Sequence, residues 1–350
     1  MKNSVLLAFV LVFFVSCKGQ NQTFAERLGY NKGDRVIILH VDDAGMSYDS
    51  NEGTKKAIKD GASTSCSVMM PCPWAPGFIN WLKENQDVDA GLHLTLNSEW
   101  DNYRWGPVAG KSAVPTLCDD MGYLWPSTGQ AIQNGNPEEV KIEIRAQLQK
   151  AREMGFEPSH IDAHMGTIFA REDFMNHFVA LGMENHIPVM FPCGHNTYFK
   201  NFLREQGKFR LMAMGQYQEG MDIPLPMTDE QSAQMGELLW GAGLPVIDDM
   251  HNQSYDWPYP EDMEMTDENI LEYRKNKYKE VVKNAKPGVT MIIMHCTEPT
   301  AAFADITESI HVRKGDFLVM TDPDFQQFLK DEGVILTTFK DLMVRRNQAK

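Results

Sequence analysis

Residues 35–45 read RVIILHVDDAG. Arg35 to Val41 is a short run rich in β-branched residues, the pattern of a strand buried on both faces, and such strands belong to parallel sheets. The run ends in two carboxylates, followed by Ala44-Gly45, where a bend is expected. Strand and helix signals alternate downstream. A helix is expected from about Asn51 to Asp60, closed by Gly61. Ser65–Met70 reads as a strand, Phe78–Glu84 as part of a helix, and Ala90–Leu96 (AGLHLTL) as a third strand. Asn136 and Pro137 open a long helix that Gly155 closes, and Val140, Ile144, Leu148 and Ala151 fall on one of its faces. Strand Ser159–Ala163, a helix near Phe174–Leu181 and strand Ile187–Phe191 follow. Helix Thr266–Lys286, strand Val289–His295, a helix starting at Asp322-Pro323 and strand Val334–Thr338 complete the series.

About seven consecutive β-α units predict an α/β fold, a TIM-barrel-like (β/α) barrel of about seven units. The segments Trp100–Gly135 and Lys200–Gly243 are too long for simple connections and are expected to be surface insertions shaping a cleft. No glycine-rich phosphate loop follows the first strand, which argues against a dinucleotide-binding sheet. The chain has 350 residues, 43% hydrophobic and 23% charged, enough for a large core and unlike a disordered or fibrous protein. Its net charge of -15 makes it a poor partner for nucleic acid.

At the N-terminus, Lys2 precedes an apolar run from Val5 to Val15 that ends at Ser16-Cys17. Eleven apolar residues suit a signal-peptide core and are too few to span a bilayer as a helix. A small residue before a cysteine is similar to the lipobox of bacterial lipoproteins. Residues 1–16 are therefore expected to be a cleaved signal, 17–34 a tether lipid-anchored through Cys17, and 35–350 a single domain. That makes the expected location the surface of a bacterial membrane, with the oligomeric state left open. Six cysteines show no CxxC or zinc-ribbon spacing, and lipidation of Cys17 would leave at least one of the other five unpaired. The 22 methionines read as core filler.

Ionisable residues recur at one end of the expected strands: His40, Asp42 and Asp43, then His93, then His160, Asp162 and His164, then His295. In an α/β barrel that end carries the active site, and buried Asp and His are costly unless paired or metal-bound. One carboxylate and two imidazoles form a common divalent-metal set, which Asp43, His93 and His164 would supply, with His160 an alternative to His164. Asp42, a second carboxylate beside the metal, would be placed to take a proton from bound water. Adjacent strand residues face opposite ways, so Asp42 and Asp43 share a site only where the strand bends. Arg313 reads as a surface salt-bridge partner, with orientation of a carboxylate as the alternative. Trp100, Trp105, Trp125 and Trp257 fit sugar stacking and ordinary packing alike.

In their order, HVDDAGMSYDSN, GLHLTL, HIDAHMGT and MHCTEP resemble the motifs of the YdjC-like carbohydrate deacetylases, which include chitooligosaccharide deacetylases and are distantly related to NodB-type polysaccharide deacetylases. Glu143 and Gln147 in EIRAQ and the stretch Arg313–Leu342 add to the resemblance, which runs from about Arg35 to Leu342. It implies metal-dependent removal of acetyl groups from N-acetylated mono- or oligosaccharides, with one divalent ion, Mg²⁺ or Zn²⁺. Asp43, His93 and His164 match the metal ligands, Asp42 the general base, and His295 the acid that protonates the leaving amine. Two stretches differ from the usual pattern: Met165-Gly166-Thr167, where a further histidine is common, and Cys296-Thr297-Glu298-Pro299, where Pro-Gly usually follows the histidine. The residues alone leave two rivals open: a hydrolase of phosphoester or glycosidic bonds, and a lipid-anchored glycan-binding protein without catalysis.

Overall fold

The computed structural model describes residues 22–213 and 216–349; Cys17 and the Val5–Val15 run lie outside them. The first strand, β1 (Arg35–Ala44), is buried from Val36 onward. Its side chains alternate, as period two requires. Val36 and Ile38 share one core with Val289, Met291 and Ile293, whereas Ile37, Leu39 and Val41 pack in the other. Around it lie β2 (Ser65–Val68), β3 (Ala90–Leu94), β4 (Ile161–Ala163), β5 (Asp249–His251), β6 (Gly288–Met294) and β7 (Ile335–Leu336).

All pairings among these strands are parallel and run β4-β3-β2-β1-β6-β5, with β7 pairing the first half of β1. The fold is therefore α/β as expected, but the regular ladders form an open half-barrel rather than the closed barrel the unit count predicted. The gap between β4 and β5 is spanned by isolated bridges, Ile161 to Val189 and Pro192 to Ile247. Ile187–Phe191, expected as a strand, sits in that gap. Pro188 and Pro192 lack the N–H groups a ladder needs, so this segment bridges without forming a regular strand.

The helices obey their local signals. Asn136 accepts from the Glu138 N–H and starts helix Pro137–Glu153, which buries Val140, Ile144, Leu148 and Ala151, together with Glu143 and Gln147. The Lys200–Gly243 stretch is mostly helix, within Thr197–Ala213 and Asp229–Gly241. Residues read as tether include a short capped helix, Phe24–Arg27, whose Phe24 and Ala25 are buried. The five described cysteines are free and buried.

Candidate metal centre

Of the expected ionisable residues, Asp42, Asp43, His93, Asp162, His164 and His295 meet toward the C-terminal ends of the strands, while His40 lies within β1 and His160 precedes β4. The bend that unites Asp42 and Asp43 comes earlier than Ala44-Gly45. Between Val41 and Ala44 the register with β2 shifts, Val41 facing Cys66 and Ala44 facing Val68, so Asp42 and Asp43 together oppose Ser67. This bulge and the left-handed backbone of Asp43 (φ 67°) turn both carboxylates to one side. Asn51 supports the turn, its Oδ1 accepting the Gly45 N–H at 2.7 Å.

Asp43 Oδ1 lies 3.3 Å from His93 Nε2 and 3.3 Å from His164 Nδ1, and those two nitrogens are 3.3 Å apart. One ion about 2.0–2.2 Å from each ligand can touch all three corners of such a triangle. Asp43 Oδ1 is buried and has no hydrogen-bond partner, as a ligand atom kept for a cation would be. The outer atoms are held. Arg313 Nη2 donates to Asp43 Oδ2 at 2.7 Å, His93 Nδ1 pairs with Asp162 Oδ1 at 2.7 Å, and His164 Nε2 lies 3.1 Å from both Glu99 oxygens. Carboxylates behind metal-binding imidazoles fix the ring and raise its basicity. The residues present fit a divalent ion.

Asp42 sits beside the triangle. Its Oδ1 is 3.0 Å from His40 Nε2 and its Oδ2 is 4.0 Å from His295 Nε2. His295 follows β6; its backbone N–H donates to Asp316 at 2.9 Å and its ring packs edge-on against Tyr255. His160 does not join the triangle. It stacks on Phe339, with ring centroids 4.0 Å apart, and a Cβ on Gly91 would come 2.4 Å from its Nε2, so the glycine makes room for it in the core.

The profile of the YdjC-like protein family matches residues 36–331. The chain belongs to the YdjC-like family. A carbohydrate deacetylase from Thermus thermophilus is 36% identical over 168 residues, 48% of this chain and 57% of that protein, so the match spans a little over half of that relative. Another from Thermoanaerobacter pseudethanolicus is 21% identical over 308 residues, 88% of this chain and 99% of its own. The fold resembles a crystal structure from Enterococcus faecalis V583, described as a candidate cellobiose-phosphate cleavage protein. The TM-score is 0.64 and the identity 19%, over 88% of this chain and 99% of that one.

In this YdjC-like site, charge governs protonation. Burial opposes ionisation of Asp43, but Arg313, His164 and His93 hold it well below the usual carboxylate range. Burial likewise works against protonated imidazoles, yet Asp42 and Asp162 draw His93 well above its ordinary value, and Glu99 and Asp43 draw His164 up to about 9. The site thus favours positive charge, and a metal there competes with protons. His295 goes the other way: burial first, and Arg313 after it, push it down despite Asp43 and Asp42.

Of the contributors in the YdjC-like chain, Glu99 escaped the sequence reading, while Arg313, Asp162 and His40 were seen without the roles the fold gives them. Arg313 is buried against Asp43 rather than forming a surface salt bridge, because helix Ile310–Thr321 brings it over the end of β1. Asp162, inside HIDAH, had a usable signal, the period-two spacing that sets it on one face of its strand with His164. His40 had a like signal, two residues before Asp42 on β1. Glu99 lies on the loop after β3, where no periodicity points to it. Of the four tryptophans, Trp105 lies near His164 and Trp100 near Arg313. The Trp105 N–H is used on Asn97 O and that of Trp125 on Thr116 O, while Trp257 packs against Tyr278.

Proposed function

We propose that this protein is a metal-dependent hydrolase that removes acetyl groups from N-acetylated mono- or oligosaccharides. The observation that carries the reading is the Asp43, His93 and His164 triangle with Asp42 and His295 beside it, in a chain of the YdjC-like family. Asp43, His93 and His164 would hold one Mg²⁺ or Zn²⁺ ion, which when bound polarises the acetamide carbonyl and acidifies water. Asp42 takes the proton of the attacking water. An amine leaves poorly without a proton, and His295 supplies it. Because its surroundings disfavour the charged imidazole, that proton is gained during the reaction, and Asp42 at 4.0 Å is a carboxylate placed to pass it on. The water proton therefore ends on the amine and the hydroxyl on the acetyl carbon. Asp162, Glu99 and Arg313 keep the three ligand side chains in place.

Export and anchoring through Cys17 belong to the same reading, and Cys17→Ser should yield protein without lipid. The central experiment measures acetate release from N-acetylglucosamine and its oligomers, with and without chelator. Metal-dependent release supports the proposal. Chelator-resistant cleavage of a glycosidic bond would replace it with a glycosidase, and sugar binding without acetate would replace it with a non-catalytic glycan binder.

A further inference from the structure

Beneath the triangle lies a buried histidine that neither the ligand set nor the acid–base pair uses. His40 is fully buried in the middle of the half-barrel. Its Nε2 is 3.0 Å from Asp42 Oδ1 and 3.0 Å from Asp162 Oδ2, with Ser67 Oγ at 3.1 Å. Its Nδ1 is 2.9 Å from Ser65 Oγ. The ring is thus fixed at both nitrogens by β2 and faces one carboxylate from β1 and one from β4. His160 meets it edge-on at 5.0 Å between centroids.

We propose that His40 is a positioning residue that couples the two halves of the site, orienting the base Asp42 directly and the metal ligand His93 through Asp162. The base half rests on the function proposed above; the ligand half does not. One donor placed between two buried carboxylates fixes an oxygen of each. Asp42 then has its other oxygen on the His295 side, and Asp162 has its other oxygen 2.7 Å from His93 Nδ1. Burial disfavours charge on His40, but its bonds to Asp162 and Asp42 raise it to about 9, so the cation persists at neutral pH and offsets the two negative charges.

The test compares His40→Leu, which fills the volume without a donor, with His40→Gln, whose amide has an N–H for each carboxylate. Zn²⁺ affinity is measured by titration of the apoprotein, and kcat and KM on N-acetylated chitooligosaccharides. Residues behind a metal ligand typically change affinity or activity by about 10–100-fold. His40→Leu should weaken Zn²⁺ binding about tenfold and lower kcat about 10–100-fold with KM nearly unchanged, and His40→Gln should recover most of both. Ser65→Ala, which frees only the far nitrogen, should give losses of the same kind below tenfold and covers the case in which His40→Leu does not fold. Equal Zn²⁺ affinity in wild type, His40→Leu and Ser65→Ala would overturn the proposal, as would losses that His40→Leu and His40→Gln share equally. Were wild type to release no acetate while Zn²⁺ affinity still followed this order, the proposed reaction would fall and the positioning of His93 would stand.

Discussion

The two ends of the sheet bury the same residue type and use it in opposite ways. Just before β3 and β5, at the N-terminal ends, sit Asp89 and Asp248. Asp89 accepts the N–H groups of Phe339 and Lys340 at 3.0 Å each. Asp248 accepts those of Phe24, Ala25 and Val289 at 2.8–3.0 Å. Their oxygens are saturated by backbone donors, and the segments they tie are thereby pinned to the barrel floor. At the C-terminal ends, Asp42, Asp43 and Asp162 face imidazoles and a guanidinium instead, and Asp43 Oδ1 has no partner. A carboxylate satisfied by the backbone contributes to stability, whereas one facing other ionisable groups keeps bonding capacity for a cation or a proton.

Breaking the upper end should abolish function and spare the fold. His93→Ala is expected to lose stoichiometric metal binding and all measurable turnover while circular dichroism stays that of wild type; metal content equal to wild type would exclude His93 as a ligand. Next in size comes Asp42→Asn, which should keep the metal, because Asp42 is not in the triangle, and lose about 10²–10⁴-fold in kcat, the usual worth of a positioned base. Elemental analysis beside steady-state kinetics separates the two cases.

Breaking the lower end should do the reverse. Asp248→Ala strands three backbone N–H groups, and unsatisfied buried donors cost about 1–3 kcal/mol each, so a loss on the order of 3 kcal/mol or more is expected in denaturant unfolding. Turnover per folded molecule should be unchanged; a matching fall in kcat would erase the distinction between the ends.

Glu143 sharpens the comparison with the smallest effect. It lies on helix Pro137–Glu153, near the end of β3, yet is satisfied like the lower carboxylates, by the Val108 and Ala109 N–H groups and by Gln147. Burial pushes its pKa up to about 7, against those same donors. A carboxyl whose folded pKa is raised contributes stability that is full below its unfolded value and lost as pH rises through the folded one. The contribution should therefore fade between about pH 4.5 and 7, by at most about 3 kcal/mol. The melting temperature of metal-depleted protein should fall over that range, and Glu143→Gln should be less stable but flatter with pH. An unchanged slope in the variant would place the titration elsewhere.

Much of this architecture was legible in the chain itself. The RVIILHV run, the Asn136-Pro137 helix start and the recurrence of His and Asp at strand ends are local patterns, because strand burial, helix capping and side-chain alternation each act within a few residues. They sufficed to place Asp42, Asp43, His93, His164 and His295 at one end of a parallel α/β sheet. β5 escaped because Asp248, Asp249 and His251 break up its short apolar run. What only the tertiary structure decided was set by contacts between distant segments. The bulge that turns Asp42 and Asp43 to one side depends on where β1 meets β2. The seating of His160 away from the Asp43, His93 and His164 triangle depends on Gly91 leaving room for one imidazole in the core. The partnership of Arg313 with Asp43 joins residues 270 positions apart. The prolines that leave the barrel open are plain in the sequence, yet their effect depends on the partner strands they meet, since a missing N–H matters only where a ladder would have used it.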